Sequence, residues 1–424
     1  MTAPGAPVAG RSRWGIVALA VGAGVVGAFQ IGKMPAAIPL LRAELELSLV
    51  AAGWVISMMN VVGLAGGMLV GAMADRLGHR GVVVAGLLAM AAGSATGALA
   101  PDAAWLLFSR LIEGVGTITV FVAAPGLIVR AVRPQDLRLS FGFWGAYMPT
   151  GTSLMVLLTP ALLGLAGWRG LWAINAGLLV AFAVLLLAGT RDFAATPDRD
   201  QGSSRDRGSS HDRGTGMADT WRAIRDTLSV PGPLLLAACF TTYTANYLAV
   251  LGFLPTFLTD ELGMGATGAA LLTALAIAAN IPGNLFGGWL MHRGAARWLL
   301  IVIASVIMGL SAWGIYGEAL AATPRYLLCV AFSMGGGLLP AALLGGVPVH
   351  APRAGLVATT NGLVMQGSNL GQFAGPPALA AMVTAAASWE SAPLLVGGLA
   401  ATGCALAFAI GILERRSLSD RSQK

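Results

Sequence analysis

Lys33, Arg110 and Glu113 are the ionisable residues that fall well inside long apolar stretches of this 424-residue chain. Charge in hydrocarbon is costly, so such groups mark solute or proton pathways, or pair with one another. Arg110 and Glu113 stand three residues apart, a helical spacing at which they can pair. Arg110 also lies about 9–10 Å from the end of its stretch, within snorkelling reach of the surface. Lys33 is the odder residue, because 24 of the 26 basic residues are arginines. A desolvated lysine can titrate or hold an anion where arginine stays charged; the alternative is a lysine snorkelling past Pro35 and Pro39. If all three side chains share one cavity, its net charge is +1. Such a site invites an anion, and protonation of Glu113 would couple its movement to a proton.

Uncharged polar residues add shape. Tyr243, Asn246 and Tyr247 lie at i, i+3 and i+4, on one helical face. Asn361, Gln366, Asn369 and Gln372 fall within an arc of about 140° at 100° per residue. Trp144 and Tyr147 also share a face. The candidate substrate contacts are Lys33, Arg110, Tyr147, Tyr243, Asn246, Tyr247, Gln366 and Asn369, with Glu113 as the proton-coupling residue. The competing reading of each amide is an ordinary interhelical hydrogen bond. Gly335–Gly337 before Pro340 reads equally as a flexible segment or a tight packing face. Cys239, Cys329 and Cys404 lie far apart in apolar surroundings, so neither a disulfide framework nor a metal site is expected. No phosphate-binding loop, zinc motif or nucleophile elbow occurs, and neither enzyme nor cofactor chemistry is expected.

These residues must be positioned by membrane-spanning helices. Hydrophobic residues make up 56% of the chain and charged residues 11%, with mean hydropathy +0.76. A soluble domain carries about 25% charged residues, so a soluble enzyme is excluded. Uncharged runs predict helices at 14–40, 50–74, 81–100, 104–129, 139–166, 170–189, 233–258, 267–291, 298–317, 325–348, 355–386 and 392–413. The first run, about 26 residues from Trp14, is too long for a signal peptide and is read as retained. With a cytoplasmic N-terminus, 21 of the 26 basic residues fall in the tails, the central linker and alternate loops. That asymmetry places both termini in the cytoplasm. The net charge of +7 is therefore a topology signal, and no nucleic-acid partner is expected.

The chain also repeats itself. A shift of 216 lays Gln30, Pro39 and Glu44 on Asn246, Pro255 and Asp260. A shift of 217 lays Gly71, Arg76 and Arg80 on Gly288, Arg293 and Arg297; 215 lays Arg110 on Arg325 and Pro125 on Pro340. Nearly equal shifts in three helix pairs point to two six-helix halves in parallel orientation. Between them, DRDQGSSRDRGSSHDRGTG is too poor in apolar residues to fold and reads as a disordered linker, with a short surface helix near 219–228.

GAMADRLGHR (Gly71–Arg80) resembles the loop signature G-x-x-x-D-R-x-G-x-R of the major facilitator superfamily, with a degraded copy in GWLMHRGAAR (Gly288–Arg297). SRLIEGVG (Ser109–Gly116) is similar to the family's fourth-helix pattern. The departures are His79 where arginine is usual and His292 where the copy could keep Asp; the fifth-helix antiporter signature is absent. The resemblance implies a bundle in which helices 1, 4, 7 and 10 line a central cavity, with 2, 5, 8 and 11 beside them. It implies a gating role for Gly71, Asp75, Arg76, Gly78 and Arg80, with Asp75 meeting the eleventh helix at the inner gate.

The expected fold is an all-α integral membrane protein of the MFS fold, with twelve transmembrane helices in two six-helix bundles. Residues 1–13 are a cytoplasmic tail, 14–189 the first bundle, 190–232 the linker, 233–413 the second bundle and 414–424 a cytoplasmic tail. The expected function is alternating-access transport of a small solute, an organic or inorganic anion with proton coupling, across a bacterial inner membrane. The alternatives are multidrug/proton antiport and a non-transporting sensor. The expected partners are the substrate, the lipid bilayer and a coupling ion, with the protein a monomer.

Overall fold

Long uncharged runs satisfy their backbone polar groups within themselves, which in apolar surroundings leaves the helix as the available conformation. The computed structural model describes residues 12–66, 70, 78–133, 136, 140, 143–191, 217–353 and 356–422, and no strand occurs among them. The first half contains α1 (Trp14–Glu44), α2 (Leu49–Ser57), α3 (Asn60–Gly66), α4 (His79–Ala98), α5 (Ala103–Ala131) and α6 (Tyr147–Gly189). A short α7 (Met217–Leu228) precedes the second half. That half comprises α8 (Pro231–Asp260), α9 (Ala266–Ala278), α10 (Asn280–His292), α11 (Arg297–Tyr316), α12 (Ala322–Gly336), α13 (Leu338–His350), α14 (Val357–Ala386) and α15 (Ala392–Ser422).

Among the described residues, nine helical stretches are long and apolar enough to cross a membrane, or ten when α2 and α3, bent by 46°, count as one. The segments expected at 139–166 and 170–189 meet at Gly167, whose φ of 64° and ψ of −176° leave helical geometry, so α6 is two helical arms joined at a kink. The segments expected at 267–291 and 325–348 are each one span, Ala266–His292 and Ala322–His350, with a one-residue break of the regular helix at Ala279 and at Gly337, both of which keep right-handed helical angles. At the second break Gly335–Gly337 form a packing face: a Cβ on Gly337 would lie 2.5 Å from the Asn280 carbonyl, and one on Gly335 2.6 Å from Ile307. The expected linker lies largely at 192–216, outside the described residues. Large apolar side chains such as Leu165, Leu285 and Leu310 face outward, as lipid contact requires.

Within the first half α1 packs on α5 and α6, and α4 on α5 and α6. In the second, α8 packs on α14 and α15, and α11 on α12 and α15. The halves meet through α1 with α8, α2 with α14, and α6 with α9. One apolar core joins both halves, with Ile38, Leu41, Val55 and Trp168 from the first and Phe253, Phe257, Ala274 and Leu379 from the second. A separate core at the arginine-rich end, around Val17, Val83, Leu127 and Leu186, contains residues of the first half alone. Among the described residues, contact between the halves is therefore concentrated away from that end. Away from it Trp54 and Phe373 meet in a tilted pair at 5.2 Å, and Gly53 lets α2 approach Pro376 and Pro377.

Candidate functional site

Lys33, Arg110 and Glu113 come together in the first half, each with no exposed surface. Lys33 does not snorkel. Its Nζ donates to Glu113 Oε1 at 2.5 Å, Gln30 Oε1 at 2.6 Å and Ser94 Oγ at 2.9 Å. It also sits 4.4 Å from the centroid of the Trp172 ring, a cation–π contact. Arg110 pairs with the other Glu113 oxygen and donates to the Gln30 carbonyl at 3.0 Å and the Val55 carbonyl at 3.2 Å. Its second terminal nitrogen lies 2.8 Å from Met59 Sδ. Gln30 in turn donates to Asn175 Oδ1 at 3.3 Å, and Asn175 to the Leu171 carbonyl at 2.9 Å.

The physical logic is saturation. Lys33 offers three N–H donors and meets three acceptors, so a charge that would be prohibitive alone is held in place. All these partners belong to the first half. Glycines permit the crowding: a Cβ on Gly93 would stand 2.6 Å from the Glu113 backbone nitrogen, and one on Gly114 2.3 Å from the Met59 carbonyl. With both bases charged and Glu113 ionised, the nest holds one more positive than negative charge.

The second half builds a neutral counterpart. Tyr243 is buried on α8, stacked on Phe240 at 6.0 Å and tilted against Tyr247 at 5.7 Å. Asn280 donates to Tyr243 Oη at 3.4 Å and to the Ser333 carbonyl at 2.9 Å. Asn246, one turn beyond Tyr243, is 2% exposed, and its Oδ1 accepts no hydrogen bond from the described residues.

The remaining candidates are spread out. Tyr147 stacks on Trp144 at 4.2 Å and meets Phe121 at 4.8 Å, against α1 at Gly24. Gln366 and Asn369 lie where α14 meets α3: Gln366 donates to the Leu64 carbonyl at 3.2 Å, and Asn369 packs against Gly63. Gly71, Asp75 and Arg76 lie outside the described residues. Gly78 adopts φ 88°, and Arg80 donates to Thr190 Oγ1 at 2.7 Å and to the Leu187 carbonyl at 2.8 Å. In the second half Gly294 also adopts φ 88°, and Arg297 pairs with Glu414. The two loops thus share a turn and an arginine that reaches the end of the last helix in its half.

Gln30, Ser94, Asn175 and Trp172 complete the nest, yet sequence reasoning did not place them in a site. Gln30 was visible as the repeat partner of Asn246; the others carried no signal beyond a polar or aromatic residue in an apolar run. Arg42 and Asp260, which pair across the two halves at 3.5 Å, were equally silent as a site.

Residues 19–376 match the family model described as Major Facilitator Superfamily. The chain is 24% identical over 69% of its length to a Haemophilus influenzae protein named putative metabolite transport protein, covering 71% of it. It is 26% identical over 94% of its length to human monocarboxylate transporter 11, covering 83% of that protein. A crystal structure of a bacterial homologue of the human lysosomal transporter Spinster, inward-facing and unoccupied, superposes with TM-score 0.74 at 16% identity, covering 94% of this chain and 96% of that one. The loop signature, the repeated halves and a match across most of the length agree: this multi-pass membrane chain belongs to the Major Facilitator Superfamily of transporters.

Proposed function

We propose that this transporter moves a small anionic solute, of the carboxylate class, together with a proton by alternating access. The observation that carries the reading is the buried nest of two bases and one acid. Its surplus positive charge is fully buried, and an anion relieves that surplus where a lipophilic cation would add to it. The same surplus supplies the coupling. The nest balances its charge by holding an anion with its full set of protons, or by giving up one proton without the anion. Anion and proton therefore travel together as linked ligands. The exchanging proton belongs to the Lys33–Glu113 pair as a unit. Glu113 lies between two cations, so it serves as the shared acceptor of that pair.

The monocarboxylate transporter named above, matched over 94% of this chain, supports the carboxylate class. In this reading the chain crosses a bacterial inner membrane twelve times, with α6 contributing two crossings split at Gly167, and both termini cytoplasmic. The halves then touch at the outer side, and the conformation is inward-facing. Rocking of residues 14–189 against 233–413 exchanges access.

Uptake of labelled small carboxylates into proteoliposomes, with and without an inward proton gradient, tests the reading. Lys33→Gln keeps a polar chain and removes the charge; it should insert normally and lose anion uptake. Full uptake by Lys33→Gln, or strong export of lipophilic cations by the unmodified protein, would overturn it.

A further inference from the structure

The two halves carry the same polar framework in different states of completion. The repeat sets Gln30 against Asn246, Ser94 against Ser311 and Arg110 against Arg325, and all six are buried. It sets Lys33 against Ala249 and Glu113 against Leu328. The second half therefore keeps the amide, the hydroxyl and the guanidinium but has lost the lysine–glutamate pair. Arg325 has accordingly turned to the Ile315 carbonyl at 2.7 Å and to the Phe257 ring at 5.0 Å. The amide carbonyl of Gln30 takes the Lys33 ammonium at 2.6 Å, whereas that of Asn246 takes no donor among the described residues. The residue one turn on, where the lysine would stand, is a fully buried alanine. A buried carbonyl without a donor is unfavourable, and a ligand that brings one is rewarded. Asn246 stands on α8, which packs against α1, the helix that carries Lys33.

We infer that Asn246 Oδ1 is the acceptor for an O–H or N–H group on the substrate, so that the transported carboxylate carries a hydroxyl or amide donor. The inference rests on the anion reading for the carboxylate end, and on the second half alone for the donor end. The first half takes the charge and the second selects the hydroxyl. A site built to receive a donor discriminates against the analogue lacking it, because its own polar group is then left unpaired.

Matched ligand pairs test this on the purified full-length protein by titration calorimetry. Lactate against propionate and 3-hydroxybutyrate against butyrate differ by one hydroxyl; methyl lactate against methyl propionate makes the same comparison without charge and without an N–H donor. The hydroxy acid should bind about tenfold more tightly than its partner, the worth of one added hydrogen bond. Asn246→Leu should bring that ratio close to one, with the loss falling on the hydroxy acid. Ala249→Ser supplies an internal donor one turn away and should also flatten the ratio, so the test survives if Asn246→Leu fails to fold.

Equal binding of both acids by the unmodified protein overturns the inference and leaves the anion reading standing. A preference that persists in both variants overturns it too, since the hydroxyl is then read elsewhere. Binding of methyl lactate over methyl propionate, dependent on Asn246, with no carboxylate bound, upholds the acceptor role of Asn246 and removes the anion reading. Binding of none of the six compounds overturns both.

Discussion

Arg42 on α1 pairs with Asp260 on α8 across the two halves, Nη1 to Oδ2 at 3.5 Å. The repeat makes Glu44 the counterpart of Asp260, yet Glu44 stays within its own half. It accepts from Trp168 Nε1 at 2.6 Å and pairs with Arg169 at 3.6 Å. Of two equivalent acids at the ends of the first and seventh expected spans, one is spent on internal order and the other on the partner half.

Because Arg42 and Asp260 are partly exposed, their attraction is worth up to about 1 kcal/mol. That is about a fivefold change in the ratio of two conformations. Asp260→Asn should shift the protein toward opening at this end by up to about fivefold. Distances between spin labels near residues 46 and 263 would report it. The swap of Arg42→Asp with Asp260→Arg should restore the original distribution. An unchanged distribution in Asp260→Asn would make the pair incidental to gating.

Gly78 and Gly294 both adopt φ 88°, and neither has a heavy atom of the described residues within 4 Å of where a Cβ would be. Space is therefore no obstacle to alanine, and only the backbone is. Gly78→Ala and Gly294→Ala should each destabilise by about 1–3 kcal/mol, the cost of holding a residue with a side chain at strongly positive φ. Thermal unfolding in detergent would check it. Wild-type behaviour in both variants would show that these turns relax to ordinary backbone.

Arg297 gathers the basic end of the second half. It is 9% exposed, donates to the Ala342 carbonyl at 2.9 Å and the Gly345 carbonyl at 3.1 Å, and pairs with Glu414, which His350 Nε2 also meets at 3.1 Å. Arg297→Lys keeps the charge but cannot reach α13 and α15 together, since only the planar fork presents donors in those directions. A loss of about 1–3 kcal/mol in unfolding stability is expected. A smaller loss than in Arg80→Lys would place the heavier structural duty in the first half.

How much of this was legible in the sequence differs by kind of feature. Helix positions, the repeat and the odd character of Lys33 were readable, because they depend on local composition and on spacing along one chain. The bend of 46° between α2 and α3 inside the run expected at 50–74 was not, since an unbroken apolar run does not reveal where its helix turns. The Lys33–Glu113 contact spans 80 residues and depends on how α1 and α5 rotate about their axes. Sequence offered the Arg110–Glu113 pair on spacing alone, and the structure adds the lysine to it. Gln366 shows the reverse: its polar character suggested a substrate contact, and what it touches here is the backbone of α3. A polar residue in a span announces a partner but does not name it.

The last prediction concerns the balance of charge in the nest. Glu113 takes Lys33 on one oxygen and Arg110 on the other, and all three are shut off from solvent. Glu113→Gln preserves shape but leaves two cations facing each other with no anion between them. Breaking a buried charge network from one side costs about 3–5 kcal/mol, far more than the network's net worth. If that cost comes from unpaired charge rather than lost packing, removing one cation as well should recover it. Lys33→Met with Glu113→Gln leaves Arg110 with two backbone carbonyls and a lone charge, so the double variant should be more stable than Glu113→Gln alone. The coupling in the double-mutant cycle should reach about 1–3 kcal/mol, the range for residues in one ion network. Unfolding midpoints of the four proteins measure it, with transport expected only in the unmodified one. Additive losses would show that Lys33 and Glu113 stabilise the fold independently, and the charge-balance account of the nest would fall with them.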